Sequence, residues 1–299
     1  MSTEPRTLLT ARGRLCLDRP WLMGIVNATP DSFSDAGERQ TLEERVELAA
    51  QLLADGADMI DIGGESGVTI RPAVEPEEEI ERVVPLIERV SGELGALVSV
   101  DTYKPRVAEA AIEAGAAIVN DVSGLRDSRL AAICARTGAG LVVMHTRAEP
   151  KQKLLDPSLD GHVAADVESF LRERIALAIE CGVAAEQLLL DPGPDFGKTP
   201  AQTIETLRAI ERLHELGRPL LLAVSRKDFV GAITGRSPRQ RLAGTLAAVG
   251  YGLDAGVHVL RVHDVAAAAD FVKVRAALRG EIEVPRSLRL ADELRWQRH

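Results

Sequence analysis

The fold class predicted by the sequence is α/β, a (β/α)8 TIM barrel forming a single domain with a short N-terminal β-hairpin. Three observations predict it. Short apolar or β-branched runs alternate with longer stretches rich in Ala, Leu, Glu and Arg, the pattern of a parallel sheet covered by helices. The run-and-helix pair occurs about eight times, the number that closes a barrel. Polar residues gather at the C-terminal ends of nearly all the runs, where a parallel barrel opens its mouth. An open doubly wound sheet has a similar alternation, but usually fewer strands and a Gly-rich first turn. No Gly-x-Gly-x-x-Gly string follows the first strand.

Taken in order, residues 6–20 hold two short β-runs around Ala11-Arg12-Gly13, which suit a hairpin closing the barrel bottom. The first three barrel strands are expected at 22–26, 59–62 and 97–101, with helices at 41–54, 77–90 and 105–114. The next three are placed at 118–120, 141–145 and 188–191, with helices at 128–136, 164–181 and 201–216. The last two, at 219–224 and 258–262, precede helices at 239–255 and 265–278. No Pro/Gly/Ser-rich linker divides the chain, so a hairpin segment (1–20), a barrel (21–280) and a charged tail (281–299) are read as one domain. The tail carries no assigned role.

Composition narrows the function. With 36 Lys plus Arg against 45 Asp plus Glu, the formal charge of −9 argues against a general nucleic-acid binder or a polybasic membrane anchor. The 45% hydrophobic content supplies a core and excludes disorder as the default state. No run approaches the roughly 20 apolar residues of a membrane span, and the N-terminus lacks the apolar centre of a secretory signal, so a cytoplasmic protein is expected. Cys16, Cys134 and Cys181 are scattered and have no second Cys or His at ligand spacing. They read as small buried apolar residues rather than a disulfide framework or a zinc site.

The strand ends are the informative feature. Asn27, Asp61, Asp101, Asn120, Asp121, His145 and Asp191 end or lie within successive runs, followed by Ser225, Arg226, Lys227, Arg261 and His263 on the last two. Any one of these is as well explained as a helix cap or turn residue. Together they form a ring of donors and acceptors suited to a polar, flat substrate. The cations Arg226, Lys227, Arg261 and His263 come late, with Arg71 arriving from the loop after the second strand. On an acidic molecule this cluster points to an anionic group on the substrate, with a salt-bridge network to Asp191 and Asp264 as the alternative.

The ordered motifs resemble those of the dihydropteroate synthase family. Met23-Gly24-Ile25-Val26-Asn27-Ala28-Thr29-Pro30-Asp31-Ser32-Phe33-Ser34-Asp35 is similar to its first signature, and Asp61-Ile62-Gly63-Gly64-Glu65-Ser66 to its second. Ser99-Val100-Asp101-Thr102, Val119-Asn120-Asp121-Val122-Ser123-Gly124, Met144-His145, Asp191-Pro192-Gly193, Phe196-Gly197-Lys198-Thr199, Ser225-Arg226-Lys227 and Arg261-Val262-His263-Asp264-Val265 follow in the family's order. The resemblance spans nearly the whole chain. It implies a transferase of folate biosynthesis that joins 6-hydroxymethyl-7,8-dihydropterin diphosphate to p-aminobenzoate, and a cytoplasmic homodimer of the kind targeted by sulfonamides.

What the resemblance implies for single residues is specific. Asp101, Asn120, Asp191 and Lys227 hold the pterin, Met144 belongs to the same substrate site, and Arg261 stacks over or closes the pocket. A carboxylate such as Asp191 can accept from the 2-amino and N3–H donors together. Asn27, Arg261, His263 and the loop with Thr69 and Arg71 serve the diphosphate, with the cofactor Mg2+ near Asn27. Ser225, Lys227 and Phe196 meet p-aminobenzoate. Asn27, Lys227, Arg261 and His263 are the implied catalytic set. The implied mechanism is dissociative: pyrophosphate leaves first and the arylamine captures a delocalised pterin cation, so electrostatic preorganisation dominates. Ser225 and Cys134 are not read as members of a hydrolase triad, because no nucleophile-elbow string is present.

Two departures stand out. The family's Gly-Gly-Glu-Ser-Thr-Arg-Pro-Gly loop is Gly63-Gly64-Glu65-Ser66-Gly67-Val68-Thr69-Ile70-Arg71-Pro72-Ala73 here, so Thr69 and Arg71 supply the hydroxyl and guanidinium from shifted positions. Pro194 and Asp195 stand where a small or apolar residue and Gly are more usual. The added carboxylate either changes affinity for p-aminobenzoate and sulfonamides or caps the following turn. A pterin-binding methyltransferase domain and a non-catalytic pterin-binding relative are the alternatives to the synthase, the second resting on the altered loop.

Overall fold

The computed structural model describes residues 6–29, 41–66, 72–152 and 154–295. Two antiparallel strands, β1 (Arg6–Thr10) and β2 (Gly13–Leu17), open the chain as the expected hairpin. Eight parallel strands follow: β3 (Trp21–Asn27), β4 (Met59–Gly63), β5 (Val98–Asp101), β6 (Ile118–Asp121), β7 (Gly140–Met144), β8 (Leu188–Asp191), β9 (Leu221–Leu222) and β10 (Val259–Val262). Their order, β8-β7-β6-β5-β4-β3-β10-β9, is that of a rolled sheet, and a parallel bridge between Leu190 and Leu220 brings its two ends together. The barrel expectation is borne out.

The helices α1 (Leu42–Ala54), α2 (Pro76–Gly92), α3 (Pro105–Glu113), α4 (Arg129–Thr137), α5 (Val163–Glu180), α6 (Pro200–Arg208), α7 (Asp228–Thr234), α8 (Leu242–Asp254) and α9 (Val265–Leu278) surround it. Local chemistry sets several starts. Thr41 with Glu44, and Thr199 with Gln202, form capping boxes that satisfy the first free amides of α1 and α6. Pro76, Pro105 and Pro200 occupy first-turn positions, where the missing amide costs no hydrogen bond.

Three elements depart from the sequence reading. The predicted helix at 201–216 ends as α6 at Arg208 and tightens into a 3-10 segment, Ile210–Leu216, after Ala209 adopts φ −100°. The helix placed at 239–255 begins only at Leu242. The seventh strand shrinks to Leu221–Leu222 because its flanks turn away, and the seven-residue α7 follows, too short for its periodicity to be read. Cys134 is buried as expected, whereas Cys16 is exposed on the hairpin, outside the barrel walls.

Strand parity explains how a polar mouth stands on an apolar floor. Ile60, Ile62, Val98, Val100, Val119, Leu141, Val143, Leu188, Leu190, Leu260 and Val262 face the helices and build the outer core. The alternate residues Met23, Met59, Ile118, Val142, Leu189, Leu221 and Val259 meet inside the barrel with Leu8 and Leu17 of the hairpin. Two positions further along, the same inward face carries Asp61, Asn120, Met144, Asp191 and Arg261. A one-residue slip in any strand would exchange these polar groups with core aliphatics, so the buried faces fix the register. The hairpin plugs the opposite end, where the Ala11 amide donates to the Ala117 carbonyl.

Candidate active site

Most of the residues expected at the mouth lie there, but their pairing differs from the free cationic cluster the sequence suggested. Arg261, on β10, reaches across the barrel: its Nε donates to Asp61 Oδ2 (2.6 Å) and its Nη2 to Asp101 Oδ2 (2.7 Å). Asn120 Nδ2 donates to the same Asp61 oxygen (3.1 Å). Asp61 is fully buried, and its Oδ1 has no partner among the described residues. Burial pushes the Asp101 carboxyl up to about 7, with Asp61 and Glu79 adding to the rise and Arg261 opposing it. Asp61 was visible as a strand residue in the sequence but not assigned a role. Its position one strand before Asp101, with the same inward parity, was the available signal.

The turn after β8 forms a second part of the site. Asp191 Oδ1 accepts from the Gly193 amide (2.7 Å), and burial raises its carboxyl above the usual range. Gly193 is required by space and by conformation: its φ is +63°, and a Cβ there would lie 2.1 Å from the His145 carbonyl oxygen. Lys198, buried, donates from Nζ to the Gly193 carbonyl (2.8 Å) and to His145 Nδ1 (2.7 Å), which leaves His145 Nε2–H to donate to Asp166 (3.0 Å). His145, a strand-end residue in the sequence, therefore supports the turn. Burial lowers Lys198 to about 7.

That turn also carries Phe196, whose ring centroid lies 4.1 Å from the Lys227 ammonium. Burial draws Lys227 below the ordinary lysine value, against the pull of Asp195 and Asp191. Asp195, at φ +65°, accepts from Thr203 Oγ1 (3.0 Å) and from the Phe229 amide in the first turn of α7 (3.1 Å). The carboxylate does not cap the turn that follows it but ties that turn to α6 and α7.

At the rim, Ser225 Oγ accepts from the His263 amide (3.1 Å) and lies 3.0 Å from His263 Nδ1. His263 is exposed at the rim, yet desolvation by the groups crowded around it, then the charges of Arg261 and Arg226, hold its imidazole below the ordinary value, so at neutral pH it is a neutral donor rather than a cation. Arg226 is engaged by Asp264 through two hydrogen bonds (3.0 and 2.5 Å), the salt-bridge alternative. Asp121 accepts from the Ser123 and Leu125 amides and shapes the β6 turn instead of facing the mouth. Met144 closes the inner wall and is buried.

Asn27 is exposed at the end of β3, and its carboxamide has no hydrogen-bond partner among the described residues. No group of three carboxylate, His or Cys side chains among the described residues could hold a metal ion. A single neutral oxygen at an exposed strand end fits Mg2+, an ion that keeps most of its waters and is bound largely through substrate phosphates. Thr69, Arg71 and most of the first signature loop lie outside the described residues. The ends of the second loop are held by Glu65, which accepts from the Val74 amide (2.8 Å), Lys104 Nζ (2.7 Å) and Tyr103 Oη (3.0 Å).

The chain resembles known proteins in both sequence and fold. Residues 23–263 match the family model described as pterin binding enzyme. The chain is 40% identical over 262 residues to dihydropteroate synthase of Bacillus subtilis, covering 87% of this chain and 89% of that protein. The structure of the Xanthomonas albilineans enzyme with 4-aminobenzoic acid superposes with a TM-score of 0.86 at 42% identity, covering 94% of this chain and all of that one. The same enzyme in complex with 7,8-dihydropteroate gives a TM-score of 0.80 at 43% identity, covering 91% and 97%.

Proposed function

The chain belongs to the dihydropteroate synthases of the pterin-binding enzyme family, and we propose that the mouth built on Asp61, Asp101, Asn120, Asp191, Lys227 and Arg261 carries their reaction. That reaction joins 6-hydroxymethyl-7,8-dihydropterin diphosphate to p-aminobenzoate, releasing pyrophosphate and giving 7,8-dihydropteroate. The single observation that carries the residue assignment is the inward parity that sets Asp101, Asn120, Met144, Asp191 and Arg261 around one apolar-floored mouth.

In this reading the pterin lies flat in the mouth. Asp191 accepts its 2-amino and N3–H donors with the oxygen that Gly193 leaves open, while Asn120 and Lys227 meet its ring nitrogens and 4-oxo group. Asp101, its carboxyl raised by burial, serves as a further acceptor. Arg261 and His263 face the diphosphate. Its charge turns Arg261 toward a stronger acceptor and favours protonation of His263. The C–O bond to the diphosphate breaks, the cation left on the pterin is stabilised by the buried carboxylates, and the arylamine nitrogen forms the new C–N bond and loses a proton. Phe196, Lys227 and Ser225 hold p-aminobenzoate at the edge of the mouth. Mg2+, held by Asn27 and the phosphates, would supply charge neutralisation of the leaving group.

A homodimer is supported by exposed apolar residues on neighbouring helices: Ile233 on α7, Leu242 and Tyr251 on α8, and Val274 and Leu278 on α9. A cytoplasmic location is consistent with the chemistry, and no helix of the described residues is long and apolar enough to cross a membrane. Sulfonamides, which mimic p-aminobenzoate, are expected to compete at Phe196 and Lys227. The test is direct: purified protein, the pterin diphosphate, p-aminobenzoate and Mg2+ should yield pyrophosphate and dihydropteroate in equal amounts. Binding of pterin without product would support the non-catalytic alternative.

A further inference from the structure

We propose that Asp195 is a positioning residue that fixes the Phe196–Lys227 pair and thereby sets affinity for p-aminobenzoate. The inference rests on the reading above, in which that pair holds the arylamine substrate.

The geometry is unusual for a turn residue. Asp195 adopts φ +65°, a left-handed conformation that is strained for most side chains but tolerated by Asp, Asn and Gly. Both carboxylate oxygens are committed to different elements. Oδ1 accepts from Thr203 Oγ1 on α6 (3.0 Å), and the same hydroxyl accepts from the Asp195 amide (3.1 Å), closing a small ring. Oδ2 accepts from the Phe229 amide of α7 (3.1 Å). Asp195 thus ties the turn after β8 to two helices at once.

The tie spans the place where the cation meets the ring. Phe196 is the next residue on the turn, and Lys227 is the N-cap residue just before α7, two before the bonded Phe229 amide. Lys227 Nζ, 4.1 Å from the Phe196 centroid, makes no hydrogen bond or salt bridge among the described residues, so their spacing is set by the backbones that Asp195 joins. Thr203 is fully buried and Phe229 nearly so, which makes both anchors rigid. Among the charges near Lys227, Asp195 is the strongest one favouring its protonated form. One side chain therefore acts on the position and on the charge of the ammonium.

These actions separate in variants of the full-length chain. Asp195→Gly keeps the left-handed backbone and removes both ties. Asp195→Asn keeps the backbone and an acceptor but removes the charge. The expected result for Asp195→Gly is a KM for p-aminobenzoate raised roughly tenfold, the equivalent of one hydrogen bond to a charged group, with the KM for the pterin diphosphate within about twofold. For Asp195→Asn the rise is smaller, and the alkaline limb of kcat/KM for p-aminobenzoate moves to lower pH, because Lys227 loses the carboxylate that favours its charge. A fall in thermal stability with both KM values unchanged, or equal rises in both, would overturn the proposal and leave Asp195 a structural tie. Lys227→Gln measured alongside separates the two levels. If it leaves the KM for p-aminobenzoate unchanged, the assignment of the p-aminobenzoate site is wrong and the proposal falls with it. If Lys227→Gln raises that KM and neither Asp195 variant does, only the proposal falls.

Discussion

Removing Arg261 should destabilise the protein by an amount that grows with pH. The guanidinium is the counter-charge of two carboxylates, one of them, Asp61, with no exposed surface. Breaking a buried pair by deleting one partner costs about 3–5 kcal/mol, provided that the partner left behind stays charged. Asp101 need not stay charged. In the folded protein its carboxyl lies at about 7, against an ordinary value of 3.8, so the folded state binds more protons than the unfolded state between those limits. Through that window this group makes stability fall as pH rises, and above it the effect levels off. Without Arg261 the folded value rises further and the window extends past neutrality. Near pH 5.5 the variant Arg261→Ala should lose only about 1–3 kcal/mol, the cost of the unmade hydrogen bonds. From pH 7 upward the loss should widen by about 1.4 kcal/mol per pH unit toward the full cost of the broken pair. Urea unfolding followed by circular dichroism at these pH values measures the difference, and Arg261→Lys, which keeps the charge, should show a flatter dependence. A loss that is the same at every pH, or below about 1 kcal/mol near pH 8, would refute the view that Arg261 neutralises this carboxylate pair.

Replacing Asp191 by Asn should weaken binding of a pterin by about 1.5–3 kcal/mol, since an amide turns a donor toward a donor edge, and unchanged affinity in titration calorimetry would remove Asp191 from the pocket. His263, at about 4 in the free protein, should be raised by an arriving diphosphate, so pyrophosphate binding near pH 6 should take up protons in the parent but not in His263→Asn. Calorimetry in two buffers of different ionisation enthalpy reads this directly, and equal uptake in both proteins would mean that His263 does not face the anion. Gly193→Ala should cost about 2–4 kcal/mol, because its Cβ would meet a carbonyl at 2.1 Å. Gly217→Ala, equally left-handed at φ +72° but with nothing within 4 Å, should cost only about 1–2 kcal/mol in the same thermal-unfolding comparison.

Barrel and mouth were legible because both depend on a short-range pattern. In β4, β6, β7, β8 and β10 an apolar inward residue is followed two positions later by a polar one or by Met144, and that period-two step can be read from the chain alone. Which charges would be free was not legible, because pairing depends on distances across the barrel: Arg261 meets partners 200 and 160 residues away. Arg226 looked like its neighbour Lys227 in the sequence, yet a left-handed backbone at φ 58° accompanies its engagement by Asp264, while Lys227 is the N-cap residue of the next helix and meets Phe196. The short α7 was missed for a similar reason, since much of what holds its first turn comes from Asp195 rather than from its own periodicity.

The paired state of Arg261 has a consequence for how the two halves of the substrate are bound. On the proposed assignment, the acceptors a pterin would need from Asp101 are partly occupied by the guanidinium, so a pterin entering alone would have to displace a charged hydrogen bond and leave Arg261 less well neutralised. The diphosphate would offer the guanidinium a better acceptor at the moment the pterin took its carboxylate. Each half of the substrate would thus remove a cost that the other would otherwise bear, and the coupling would run through one side chain. A mouth of mutually neutralising charges is less costly to hold empty in a buried site than a row of free cations, and it answers most strongly to a ligand that carries both a donor edge and an anionic tail.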